Sequence, residues 1–532
     1  MFSRKRSSAL LVSAILVFSL VGIFMSRTVL ADFQDTAKRE IKKFISVVQL
    51  VQLYYVEKVD WDDAIAGGIS GMLSKLDPHS VYIPPKKVKQ NKENFSGHYE
   101  GIGIQFDVID GYLTVIAPIA GSPSDRLGIL SGDRIVKING KSAIGITREE
   151  VPKKLKGPKG TTVNVTILRQ GVDEPLEFTI VRDVIPITTI TAEFMEDDST
   201  GYVSINRFAA TTSRELEQTL ERLEAQHMKR LILDLRGNPG GYLHEAVKVA
   251  GKFLPGNELI VYTKGRSGKV DEEYYPNQFG HSKVRTFPLI ILIDNGSASA
   301  SEIVAGAIQD YDRGLIVGKN SFGKGLVQKE FSLQDGSAVR ITTAKYYTPS
   351  GRSIQRKYKG INLEEYYQES HDSTLNTEKK LEKRPVFHTR SGRIVYGAGG
   401  IHPDVVVPYH SGAKSPKLVG KILQKRLFFE FSKRLINRYK SYKDVRKFAK
   451  SFRLSNAQFK AFRQYCQKHK IEADLAEFQK DRAYLTMRIE AEIARKLWEN
   501  NGFYYVLLNH DNQFRKALTL FPQAGKLAWV NN

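Results

Sequence analysis

The chain has 532 residues, 80 Lys and Arg against 57 Asp and Glu, a formal charge of +23 and a single cysteine. At roughly 100–200 residues per domain, this length predicts three or four domains. An apolar share of 41% with 26% charged residues excludes wholesale disorder and a polytopic membrane protein. Cys466 alone makes neither an intramolecular disulfide nor a cysteine-based zinc site.

Arg4, Lys5 and Arg6 precede an apolar run from Ala9 to Met25, and Val29 and Ala31 stand at −3 and −1 of a cut after Ala31. This describes a secretory signal over residues 1–31. The run of 17 residues is also near the lower limit for a bilayer span, so an uncleaved anchor competes with a cleaved signal. Both readings export the remainder, to the periplasm or the extracytoplasmic face of a bacterial membrane. No cysteine lies near the cut to carry a lipid.

Residues 32–96 read as a helical N-terminal module. Ile41, Phe44, Ile45, Val48 and Val51 recur at helical spacing, Ile65 to Leu76 repeats the pattern, and Asp77-Pro78-His79-Ser80 and Pro84-Pro85 break it. From Gly97 the texture turns to short strands and glycine turns: Gly101 to Phe106, Tyr112 to Ile116, Gly132-Asp133-Arg134-Ile135-Val136-Lys137-Ile138-Asn139-Gly140, and the alternating Thr162 to Ile167. Asn139-Gly140 is a type I′ hairpin signal. Residues 97–183 resemble a PDZ domain of the bacterial exported kind. Such domains add an extended peptide to a sheet edge and hold its terminal carboxylate on backbone amides. The resemblance places that loop at Tyr99, Gly101, Ile102, Gly103 and Ile104, with a ligand-free β-barrel as the alternative.

Residues 184–409 alternate strands and helices. Leu231 to Leu235 and Leu289 to Ile293 are near-continuous apolar runs, as in strands buried on both faces, so the fold class is α/β with a βα core. Residues 363–384 read as a polar linker, and Gly399 to Val405 returns to the core. Residues 410–532 read as a basic helical extension.

Three segments of the core carry chemistry. Asp234-Leu235-Arg236-Gly237-Asn238-Pro239-Gly240-Gly241 runs from a strand end into a turn whose free amides can face an anion. Asn295-Gly296-Ser297-Ala298-Ser299-Ala300-Ser301-Glu302 opens a helix from about Ser301, where exposed hydroxyls meet the positive end of the helix dipole. Gly318 to Gly325 nearly spells a phosphate-binding loop, but that motif needs Ser or Thr after the lysine and then a helix, whereas Gly325 and a strand follow Lys324. The kinase and ATPase readings fall away.

A serine nucleophile needs a base. His227, His244 and His281 lie in the region, but the best of them, His244, sits one turn into a predicted helix as a surface residue. Lys324, flanked by glycines, fits better if burial lowers its pKa by roughly three units, a cost of about 4 kcal/mol. Spacing alone leaves Ser297, Ser299 and Ser301 as rivals.

The combination of these segments resembles the carboxy-terminal processing peptidases, or tail-specific proteases, over about residues 40–408. The resemblance rests on Ser297 to Glu302 and Phe322-Gly323-Lys324-Gly325, on Leu76 to Ser80, and on Gly399-Gly400-Ile401 with Pro403-Asp404. It implies a crotonase-like core with an inserted PDZ domain. Ser299 would be the nucleophile, Lys324 the general base, Gln328 the residue orienting it, and Ala300 with Gly240 or Gly241 the oxyanion hole. Ser301 would then be a helix cap, and Asp310 an accessory acid or a helix-surface aspartate. No metal or cofactor is implied. Expected partners are proteins with free C-termini; a catalytically inactive PDZ scaffold is the competing function. Residues 32–60 and the C-terminal helices have the look of homodimer elements or of segments packed on the core.

The charge is local. Residues 411–532 hold 26 Lys and Arg against 10 Asp and Glu, and 411–450 alone hold 13 against 2. Leu418, Ile422, Leu427, Phe428 and Phe431 give this stretch an apolar side with cations opposite. Its expected partner is an anionic membrane or envelope surface, or solvent, and not nucleic acid.

Overall fold

In the computed structural model the chain divides into residues 1–75 and 76–532. The structure describes residues 36–119, 121–169, 171–361, 363–369 and 381–527. The signal or anchor segment 1–31 lies outside the described residues. Among these, no helix is long and apolar enough to cross a membrane.

The first unit pairs a helix over 36–54 with the helix Trp61–Leu73. The Asp60 side chain accepts from Asp63 N–H to start the second helix, and a Cβ on Gly68 would stand 3.2 Å from the Phe44 ring. Ile41, Leu53 and Val56 are exposed, Val56 to 91%. Residues 76–96, the rest of the expected helical module, fall in the second unit and carry the helix Pro85–Ser96. Val81–Ile83, a β-branched and aromatic triplet bounded by proline, pairs antiparallel with Ala338 to Arg340 and belongs to the second unit.

The central core is a six-stranded sheet in the order Ile190–Met195, Thr200–Ile205, Arg230–Asp234, Leu289–Ile293, Leu315–Gly318, Val405–Val406. The first pair is antiparallel and the rest parallel. Helices Thr212–Ala225, Leu243–Ala250 and Ala300–Asp310 cover one face, burying Leu216, Leu220, Val247, Val304 and Ile308 against Val203, Leu233 and Ile291. The helices Asn512–Thr519 and Phe521–Leu527 cover the other, through Phe514, Ala517 and Phe521 on Tyr202, Ile232 and Ile290. A second, antiparallel sheet joins Leu326–Ser332, Ala338–Tyr347, Val261–Lys264, Val270–Tyr274 and Val81–Ile83.

The PDZ domain is an insertion. Its chain enters on His98–Gly101 and leaves on Asp183–Pro186, and these two strands pair with each other. Between them lies a sheet in the order Ile104–Ile109, Tyr112–Pro118, Arg134–Ile138, Thr162–Leu168, Leu176–Val181, with Lys141–Ser142 beside Arg134–Ile138. Asn139 (φ 50°) and Gly140 (φ 74°) make the tight hairpin that their sequence predicts.

From Pro416 to Leu527 the chain is helical, with its own core of Phe428, Phe431, Phe448, Phe462, Phe478 and Ile489. Cys466 is buried within it, and burial pushes its thiol up to about 12.

Candidate active site

Parallel strands present their C-terminal ends together, so the loops after Asp234, Ile293 and Gly318 converge at one edge of the core sheet. Ser299 is the N-cap of the helix Ala300–Asp310, with φ 55° and ψ −113°. A side chain held at positive φ costs about 1–3 kcal/mol and persists only where its surroundings fix it. The helix therefore begins at Ala300, one residue before the start expected at about Ser301.

The three serines separate cleanly. Ser297 is buried and its hydroxyl donates to Leu235 O at 2.8 Å while accepting from Asp294 N–H. Ser301 is also buried, and its hydroxyl donates to Asn238 O at 2.9 Å, so it ties two loops together and is not the helix cap. Ser299 instead stands at the helix start, in a capping box with Glu302 whose reciprocal bond runs from Ser299 N–H to the Glu302 carboxylate at 2.8 Å.

Glu302 organises the site. Its carboxylate, fully buried, accepts from Ser299 N–H (2.8 Å) and Lys324 N–H (2.9 Å) on Oε2, and from Gly323 N–H (2.7 Å) and the Ser321 hydroxyl (2.5 Å) on Oε1. Burial pushes its pKa up, and the four donors pull the other way. One oxygen thus holds both amides, bringing the backbones of Ser299 and Lys324 within about 6 Å. On the carbonyl side the buried Tyr346 hydroxyl spans Lys324 O and Ser299 O. Phe322 N–H adds a bond to Ser297 O at 2.9 Å.

The Lys324 ammonium has no carboxylate within ion-pair distance among the described residues. Burial lowers its pKa to about 8, helped by repulsion from Arg340 and opposed by Glu302 and Asp77. The Asp77-to-Ser80 segment, read from sequence as a helix break, forms a tight turn next to this lysine. Asp77 accepts from His79 N–H and Ser80 N–H, and the Ser80 hydroxyl bonds Asp77 at 2.6 Å. His79 is pushed down to about 4, by burial first and by the Lys324 charge next, and its Nε2 meets the Tyr366 hydroxyl at 3.2 Å. Tyr366 lies in the helix Leu363–Glu369, inside the stretch read as a polar linker. It is fully buried, with the Arg356 guanidinium stacked 3.9 Å from its ring.

Of the amides expected to form an oxyanion hole, two are unpaired. Ala300 N–H, at the first turn of its helix, has no acceptor among the described residues, nor has Gly241 N–H. Gly240 N–H is taken by the Asn238 side-chain carbonyl at 2.9 Å, which corrects its expected place in the hole. Gly240 serves by lacking a side chain: a Cβ there would fall 2.8 Å from Ser299 Cβ and 2.9 Å from Ala300 N. Gly240 O and Tyr242 N–H both bond Phe208, so Gly241 N–H faces away from it. Asn238, fully buried and anchored to Ile205 O at 2.8 Å, shapes the loop and was not singled out from sequence.

Two further expectations change. Gln328 Nε2 reaches Thr342 Oγ1 at 3.3 Å and not Lys324, because a bulge opposite Val327 and Gln328 shifts the register. Asp310 closes the helix eleven residues from Ser299, about 16 Å along the axis. There it pairs with the buried Arg352 at 2.7 Å and accepts from Ser350 N–H, so it is neither accessory acid nor surface residue. His244 is half exposed and stacks on Tyr242.

In the PDZ domain, Tyr99 and Gly101 lie inside the entry ribbon, opposite Ile185 and Asp183. The free loop amides are those of Ile102 and Gly103, which find no acceptor among the described residues. A Cβ on Gly103 would strike Ser122 at 2.2 Å. Ile104 opens the edge strand Ile104–Ile109.

Residues 199–364 match the model of peptidase family S41, 101–180 a PDZ domain, 25–86 the N-terminal domain of the activating protease CtpB, and 417–499 a family of unknown function. The chain is 37% identical over 350 residues to the carboxy-terminal-processing protease of Bartonella bacilliformis, covering 64% of this chain and 80% of the relative. It is 36% identical over 327 residues to the carboxy-terminal processing protease CtpB of Bacillus subtilis, covering 61% and 67%. A solved PDZ domain of the Vibrio cholerae carboxy-terminal protease in complex with peptide is 33% identical, with a TM-score of 0.16 over 16% of this chain and 97% of that one. The chain belongs to the carboxy-terminal processing proteases of peptidase family S41.

Proposed function

We propose that this chain is an exported serine–lysine endopeptidase, with a crotonase-like core, that cleaves proteins whose free, apolar C-terminal tail is captured by the PDZ domain. The observation that carries the reading is the shared Glu302 oxygen, which holds the amides of Ser299 and Lys324 side by side. Neutral Lys324 takes the Ser299 proton as Oγ attacks the scissile carbonyl carbon. The oxyanion meets Ala300 N–H and Gly241 N–H, each donor worth about 3–4 kcal/mol. Lysine returns the proton to the leaving amine, the acyl-enzyme forms, and water activated by the same lysine releases it. Ile102 and Gly103 N–H receive the tail's carboxylate, and the tail pairs along Ile104–Ile109. An inactive scaffold would have no use for the strained Ser299 backbone. Ser299→Ala should abolish cleavage of a tailed substrate with an unchanged circular dichroism spectrum; wild-type turnover would sink the proposal.

The 414–450 stretch turns Lys417, Lys421, Lys440, Lys443, Lys447 and Lys450 outward while Leu418, Ile422, Leu427, Phe428 and Phe431 are buried, which supports an anionic membrane or envelope surface as a partner. Binding to vesicles of acidic lipid should weaken steeply with salt. The exposed apolar residues between Ile41 and Val56 support self-association, read by light scattering.

A further inference from the structure

A domain inserted through two strands has little to stop it swinging, and such motion is the default where interdomain contacts are small. Here the helical extension touches it. Phe429, 2% exposed, fills a socket made by Ile109 and Ile116 on the outer face of the PDZ sheet. Around it Arg426 Nε meets Asp107 at 2.6 Å, Glu430 stands 3.8 Å from Arg134, and the Lys433 side chain lies over Gly132. Beneath, Lys496 Nζ sits 3.4 Å from the Phe429 ring centroid.

The same extension grips the core. Asn501 accepts from Glu193 N–H at 2.9 Å, and Arg446 pairs with Asp198 at 3.1 Å. Arg236, next to the loop carrying Gly240 and Gly241, bonds Asp511 at 2.7 Å and Gln513 at 2.9 Å. The three parts meet around a cavity of about 820 Å³ bordered by Tyr99 and Ile104, Thr219 and Arg222, and Arg495 and Asn501. The peptide edge Ile104–Ile109 pairs with Tyr112–Pro118 alone among the described residues.

We infer that residues 416–527 are a brace that fixes the PDZ domain on the catalytic core with its peptide edge open, so that Phe429 and Arg426 position a bound tail relative to Ser299. This rests on the peptidase reading, and its test has an arm that does not. Lys141 and Glu221 are exposed on the PDZ domain and the core, while Cys466 is buried. Spin labels on Lys141→Cys and Glu221→Cys in the full chain should give one narrow distance by double electron–electron resonance. Phe429→Ala and Glu430→Arg should broaden it, and Glu430→Arg with Arg134→Glu should narrow it again. In parallel, kcat/KM for a substrate with an apolar free tail should fall about tenfold in the single variants and recover in the exchange pair. Cleavage of a short untailed peptide should stay unchanged. Unchanged distances in both single variants, no recovery in the pair, or faster cleavage of the untailed peptide would each overturn the brace. A parent chain without peptidase activity would overturn the functional reading, and the label distances would still decide the brace.

Discussion

Replacing Lys324 by methionine removes a charge from a buried place while keeping the length of the side chain. Lowering a lysine from its ordinary 10.5 to about 8 corresponds to roughly 3 kcal/mol against the ammonium. Because the folded pKa lies below the unfolded one, the folded state binds fewer protons, and the penalty is complete below about pH 8. It fades as pH rises towards the unfolded value. Lys324→Met should therefore abolish cleavage yet raise the unfolding free energy of the core by about 3 kcal/mol at pH 7, shrinking to below about 1 kcal/mol at pH 10. Urea unfolding of both proteins at the two pH values, followed by the fluorescence of core tyrosines such as Tyr202 and Tyr346, checks it. A destabilised variant, or a difference that does not depend on pH, would refute the buried free base. The companion kinetic expectation has the same origin: about a tenth of Lys324 is neutral at pH 7, so kcat/KM should climb about tenfold between pH 7 and 9.

Glu302→Gln offers one acceptor oxygen where two held four donors, and should lower kcat at least a hundredfold with a fall in Tm; activity within threefold of wild type would contradict the organising role. Asn238→Ala strands the buried Gly240 N–H and Ile205 O, at about 1–3 kcal/mol each, and should cut kcat ten- to a hundredfold while KM stays within about threefold. A raised KM with normal kcat would move Asn238 from the oxyanion loop to substrate binding. Gln328→Ala should change kcat/KM by less than about threefold, since its amide rests on Thr342; a hundredfold loss would return it to the lysine.

The proposed nucleophile and base were the most legible residues. Alternating small residues at a strand end left three serines as rivals, and the family resemblance, with a glycine-flanked lysine 25 positions after Ser299, pointed to Ser299 and Lys324. What joins them was not. Glu302 stood in sequence only as the end of the serine motif, and the approach of the Ser321-to-Lys324 loop gives its second oxygen a purpose. Gln328 was misplaced because a bulge on the partner strand leaves no mark in its own sequence. Asp310 was misread because its partner Arg352 lies beyond three intervening strands. A polar stretch hid the buried Tyr366 for the same reason: composition averages over a segment, and one aromatic ring finds its pocket alone.

The PDZ domain departs from and returns to the core at almost the same point, with Ile187 N–H bonded to Gly97 O at 2.8 Å and the ribbon zipped beyond it. A graft at that junction closes a short loop whatever length of chain it carries, and loop-closure entropy there depends only weakly on what is inserted. The reader of the substrate and the machinery that cuts it are therefore separable in the genetic sense. Another recognition domain with adjacent ends can be exchanged there without disturbing a single hydrogen bond of the Glu302 network.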